Sequence, residues 1–125
     1  MNALNPYEYA MPREPANFQA LSPLSFLERA ASVYPDRLAL INGPYRQSWG
    51  VTYQRCRQLA SALALRGIGV GDTVALLAPN GAALFEAHFG IPMCGAVINA
   101  INTRLDAEAI AFILQHGEAK VLLVD

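Results

Sequence analysis

Apolar positions along this chain recur at two spacings, and the spacing changes several times. Between Pro23 and Tyr34 the apolar residues Leu24, Leu27, Ala31 and Tyr34 lie on one face at helical spacing. A longer helix is predicted from about Gly50, with Tyr53, Cys56, Leu59, Ala60 and Leu63 as its stripe. Between these helices, residues 37–42 (RLALIN) and 46–49 (RQSW) flank Gly43-Pro44 and predict a β-hairpin or two short strands. Val74 to Ala78 is apolar throughout rather than alternating, which predicts a strand buried on both faces of a parallel sheet. A helix carrying Leu84, Phe85, His88 and Ile91 follows Pro79-Asn80-Gly81, and Ala96 to Ala100 reads as a second buried strand. A third helix turns Ile110, Ile113 and Leu114 inward, and Lys120 to Asp125 forms a third strand.

The boundaries carry their own chemistry. Ser22 caps the first helix with Pro23 in its first turn, and Pro35 ends it. Ser48 is the cap of the long helix, and Gly67 closes it through the left-handed conformation. Pro92 predicts a kink or an early stop, because it brings no backbone donor. Thr103 or Asp106 caps the last helix and Gly117 ends it. Residues 1–21, with Pro6, Pro12 and Pro15, form an irregular lead-in to a folded unit over residues 22–125. Strand, helix, strand, helix, strand is a run of βαβ crossovers, so the fold class is α/β, a parallel sheet with packed helices.

An apolar content of 54% against 15% charged residues fits a globular core within 125 residues. A net charge of −1 excludes the electrostatic footprint of a nucleic-acid binder; Arg55, Arg57 and Arg66 read as the solvated side of one helix. Cys56 and Cys94 fall inside predicted helices without CxxC spacing, and His88 and His116 do not complete a metal set, so buried thiols in a reducing compartment are expected. The N-terminus has no apolar signal core, and the apolar stretch Val74–Ile101 is broken by Pro79, Glu86, His88 and Pro92; a cytoplasmic protein without a membrane span is the expectation.

Candidate chemistry is thin. Gly67, Gly69 and Gly71 close a helix and open a strand, the reverse of a dinucleotide loop, and Asp72 reads as a turn residue bonding nearby backbone. Neither a GxxxxGK[ST] loop nor a GxSxG elbow is present. His88 has no nucleophile at a recognised spacing and reads as a helix residue bonded to backbone. Glu86, Asp106 and Glu108 read as solvated helix charges, and Trp49 and Tyr53 as packing anchors. Asn99, Asn102 and Thr103 cluster at the C-terminal end of a predicted parallel strand, where α/β sheets place ligands; capping of the next helix and satisfaction of turn backbone is the favoured reading of them.

The blocks LSPLSFLERAASVYPDR, YQRCRQLASALALRGIGVGDTVALLAPN and EAHFGIPMCGAVINAINTRLDAEAIAFILQHGEAKVLLVD, in that order, resemble the N-terminal quarter or so of AMP-forming acyl-CoA synthetases, in the adenylate-forming superfamily. The resemblance runs from about Asn17 to Asp125 and is nearest to the methylmercaptopropionyl-CoA ligase type and plant acyl-activating enzymes. It implies a two-step reaction: a carboxylic acid and ATP give an acyl-adenylate and pyrophosphate, and coenzyme A then displaces AMP, with Mg²⁺ assisting. The family's Lys-Gly phosphate loop, Tyr-Gly-x-Thr-Glu element, ribose-binding Asp and mobile-domain lysine do not occur here, so no catalytic, cofactor-binding or metal residue is assigned. The expectation is therefore the N-terminal portion of such a domain, stopping before the catalytic motifs. A non-catalytic interaction module and a small nucleotide binder are the rival readings. The hairpin departs from the family pattern at Pro44 and Val51, which is expected to weaken the start of the long helix but leave the fold intact.

Overall fold

The computed structural model describes Ser22 to Asp125, together with Ala16; the expected lead-in otherwise lies outside the described residues. A helix, α1 (Pro23–Val33), leads into a hairpin of β1 (Leu38–Asn42) and β2 (Tyr45–Ser48), then a long helix, α2 (Trp49–Ala64). Three strands follow, β3 (Thr73–Leu77), β4 (Val97–Ala100) and β5 (Ala119–Val124), separated by α3 (Ala82–Met93) and α4 (Ala107–His116). Ser22 Oγ accepts from the Leu24 N–H at 3.2 Å, fixing the start of α1. Trp49 belongs to the first turn of α2 rather than to the hairpin, because Ser48 serves as both last strand residue and N-cap, its Oγ accepting from Val51 N–H at 3.4 Å. The helix start survives without a glutamate at Val51.

The larger sheet is parallel with strand order β4-β3-β5. β3 leaves to one side through α3 and β5 returns to the other through α4. With right-handed crossovers the two helices cover opposite faces. Val74 and Leu76 face α2 and α3 in a core with Leu63, Ile68, Ala87 and Ile91. Ala75 points to the other face, in register with Asn99 and Leu122, and is fully buried. β3 is thus buried on both faces, as its continuous apolar run requires. β4 is not: among the described residues it is an edge strand with Val97 53% exposed, a correction to the expected second buried strand. Its apolar run satisfies one face only.

Other boundaries differ in instructive ways. In α2 the fully buried positions are Thr52 and Cys56, with Leu63 close behind, while Tyr53 is half-buried under the Arg57 guanidinium, 5.7 Å from its ring centre. Gly67 is left-handed at φ 78°. Pro92 sits one residue from the end of α3, so the expected disruption takes the form of an early stop, with Cys94 as the C-cap outside the helix. Asp106, not Thr103, caps α4 by accepting from Ala109 N–H at 2.8 Å. After α4 the left-handed residue is Glu118 (φ 49°) rather than Gly117 (φ −82°). Gly117 is needed for another reason: a Cβ there would stand 2.8 Å from Asn99 Nδ2 and 3.0 Å from Ile113 O.

Candidate functional site

Two groups of polar side chains are built by this fold. The first lies where the hairpin meets α2 and α3. Gln47, 3% exposed, donates from Nε2 to Thr52 Oγ1 at 2.8 Å and to Glu86 Oε1 at 2.9 Å. Arg55 Nε reaches the same carboxylate oxygen at 2.5 Å, while Thr52 donates to Ser48 O at 2.8 Å. Tyr45 donates its hydroxyl to Gln47 Oε1. Among the described residues no buried side-chain polar atom lacks a partner, so this cluster is satisfied as it stands. It contains no nucleophile positioned beside a base. Its role is to tie the hairpin to α3, and the expectation of Glu86 as a solvated charge is corrected: the residue is 6% exposed. Arg55 likewise spends half its side chain on this pair instead of lying free in solvent.

The second group lies at the C-terminal ends of β3 and β4. A concavity of about 460 Å³ is lined there by Pro79, Asn80, Leu84, Asn102, Thr103 and Arg104, among others. The sequence cluster is split by the structure. Asn102 and Thr103 reach this concavity, whereas Asn99 lies within β4 against Gly117 on the α4 face. Asn102 Oδ1 accepts from Arg104 N–H at 3.0 Å, an Asx-type turn that holds the loop. The contribution of Arg104 escaped the sequence reading, since a lone arginine after a strand has no motif around it.

The remaining candidates resolve into structure. His88 is exposed and places Nδ1 2.7 Å from Leu84 O, in its own helix. Asp72 accepts from Gly69 N–H at 2.9 Å and pairs with Lys120 Nζ at 2.5 Å; the Lys120 ammonium, then the Gly69 N–H, hold its carboxyl below the ordinary range. Asp106 and Glu108 are exposed at the start of α4. Trp49 is half-buried, its backbone N–H donating to Arg37 O at 2.9 Å. Cys56 is fully buried with Sγ 3.4 Å from Glu86 O, and burial first, then the Glu86 charge, pushes its thiol up to about 11. It is an inert packing thiol.

These residues do not fit a magnesium–nucleotide centre. Among the described residues no three His, Cys, Asp or Glu converge on a cation, and the glycines at 67–71 precede a strand instead of following one. No helix of the described part is long and apolar enough to cross a membrane.

Comparison with known proteins places this geometry. The profile of the family described as AMP-binding enzyme matches residues 27–125. An acetate/butyrate–CoA ligase of Arabidopsis thaliana, described as peroxisomal, is 56% identical over 92% of this chain and 20% of its own length. An acetate–CoA ligase of Humulus lupulus is 54% identical over the same shares. Among solved structures, a putative long-chain-fatty-acid CoA ligase of Rhodopseudomonas palustris superposes with a TM-score of 0.79 at 31% identity, over 83% of this chain and 26% of that one. The chain thus spans about a fifth of the length of the curated relatives it matches. With the crossover order, the buried central strand and most of its length in register with these relatives, the chain belongs to the AMP-binding enzyme family.

Proposed function

We propose that this chain is the N-terminal part of the large domain of an AMP-forming acyl-CoA ligase, which joins a small carboxylic acid to coenzyme A through an acyl-adenylate, using ATP and Mg²⁺. The observation that supports this most is the 56% identity to an acetate/butyrate–CoA ligase over 92% of the chain, hairpin and crossovers included. On this reading residues 22–125 supply scaffold: β3 and its neighbours found the sheet, and the satisfied Gln47–Glu86–Arg55 cluster fixes the hairpin on it. The groups that carry the phosphoryl chemistry belong to segments other than these 125 residues. The identities favour a short-chain acid such as acetate or butyrate over a long-chain one. The protein works in a reducing compartment, where its two free thiols persist. Cytoplasm is the assignment, and fractionation decides between it and the peroxisome named for the Arabidopsis relative.

The test is acid-dependent exchange of labelled pyrophosphate into ATP by the full-length product of the gene that encodes this segment. Exchange that requires acetate or butyrate supports the reading. A folded, full-length protein that shows no exchange with any carboxylic acid overturns it and leaves a non-catalytic module.

A further inference from the structure

Beside the hairpin runs an apolar groove of about 540 Å³ that nothing among the described residues covers. Leu40, Ile41 and Asn42 of β1 form one wall, and Leu84, Phe85 and Phe89 of α3 form the other. No described residue of β2 lines it, so the groove follows the outer edge of β1. The pairs Asn42↔Tyr45 and Leu40↔Gln47 bond across the hairpin, which turns the N–H and C=O of Ile41 outward, where no described residue meets them. Ile41 is also 60% exposed. A two-stranded hairpin is marginal in water, and a third strand laid along this edge would complete it.

The chain carries a segment of the right kind close by. Ser22 enters α1 in extended backbone, with φ −138° and ψ 137°. Upstream of it, Asn17 to Ala20 alternates polar and apolar residues, the period of an extended segment with one buried side, and puts Phe18 and Ala20 on that side. Leu24 and Met93 line one depression, so the start of α1 lies at the C-terminal end of α3. From Met93 back to Phe85 is about 12 Å along the helix axis, and Asn17 to Leu21 spans about 16 Å when extended. No Asp, Glu, Lys or Arg lines the groove, and none occurs in Asn17–Leu21. We infer that residues 17–21 of the same chain fill this groove as a third strand on β1, with Phe18 against the edge-to-face pair of Phe85 and Phe89. The tether presents this segment to the groove at roughly millimolar effective concentration, an advantage that a second copy or a separate partner lacks. The inference does not rest on the ligase reading.

The test uses the full-length protein with the photo-cross-linker p-benzoylphenylalanine in place of Ile41, irradiated, digested and mapped by mass spectrometry. A link within residues 17–21, in a product of monomer mass, is expected, and Phe18→Asp is expected to cut its yield several-fold. A link to any other segment, a product of dimer mass, or no linked peptide overturns the inference. A second measurement leaves the groove intact: amide hydrogen exchange at Ile41 in the unsubstituted protein and in Phe18→Asp, each shown by circular dichroism to be folded. Exchange about tenfold or more faster in Phe18→Asp is expected, and equal exchange in the two proteins overturns the inference.

Discussion

At the scale of single residues the polar junction decides more than any candidate catalytic group. Its two charges differ in what each loses when the other is removed. Glu86 is buried and Arg55 half-exposed, so Arg55→Ala strands a carboxylate in the interior, while Glu86→Gln leaves a guanidinium that water can reach. Arg55→Ala is expected to lower stability by about 1–3 kcal/mol and Glu86→Gln by about 1 kcal/mol or less, with the double variant recovering part of the Arg55→Ala loss. Denaturant titration of the three variants measures this. The two thiols give a second check: with its thiol up at about 11 and fully buried, Cys56 is expected to react with an aromatic disulfide reagent at pH 8 far more slowly than half-buried Cys94. Asp72 gives a third. Its folded pKa lies below the ordinary 3.8, so its contribution is complete above that value and is lost as pH falls through the folded pKa. Asp72→Asn should flatten the acid limb of a stability-against-pH curve. Asp72 was legible from its turn, whereas Glu86 was not, although a signal was there. The helix AALFEAHFGIPM is apolar at nearly every position, so no polar stripe marks a wet side for its glutamate, and the exposed side belongs to Ala83 and His88.

Among the elements, the contact of α2 with α3 illustrates how packing overrides propensity. Alanine is a better helix former than glycine by about 1 kcal/mol, which on its own favours replacing Gly90 in α3. A Cβ at Gly90, however, would lie 2.8 Å from Leu59 Cδ2 and 3.0 Å from the Cys56 carbonyl oxygen. Backbone cannot yield as a flexible side chain does, so Gly90→Ala is expected to destabilise by about 1–3 kcal/mol in thermal unfolding. The opposite sign is expected at Glu118, where φ is 49° and no ladder demands a side chain: Glu118→Gly should raise stability by a few tenths to about 1 kcal/mol. Helices and strands were legible from periodicity because burial on one or both faces writes itself into the spacing of apolar residues. The edge position of β4 was not, because VINA reads the same whether a neighbour covers its second side or not. Likewise the Asn99 side chain, from 18 residues upstream, leaves little room for a Cβ at Gly117, a constraint that no local pattern contains.

For the whole molecule, order of elements carries the family and the absence of motifs limits the chemistry. Right-handed crossovers in the order β4-β3-β5 turn a run of short apolar segments into a sheet with helices on both faces; the parallel sheet and its crossovers were legible in the sequence, the strand order was not. The concavity at the strand ends was only half readable: Asn102 and Thr103 were adjacent in sequence, Arg104 followed them without a motif to mark it, and Asn80 joins them only when β3 and β4 pair. The scaffold described here is matched along most of its length by CoA ligases, and the chain covers about a fifth of theirs. The most direct test is mass-spectrometric detection of products from the full-length protein given ATP, Mg²⁺, coenzyme A and either acetate or butyrate. The account predicts acetyl-CoA or butyryl-CoA with an equimolar yield of AMP; a folded full-length protein that forms neither thioester nor AMP with any carboxylic acid would contradict it.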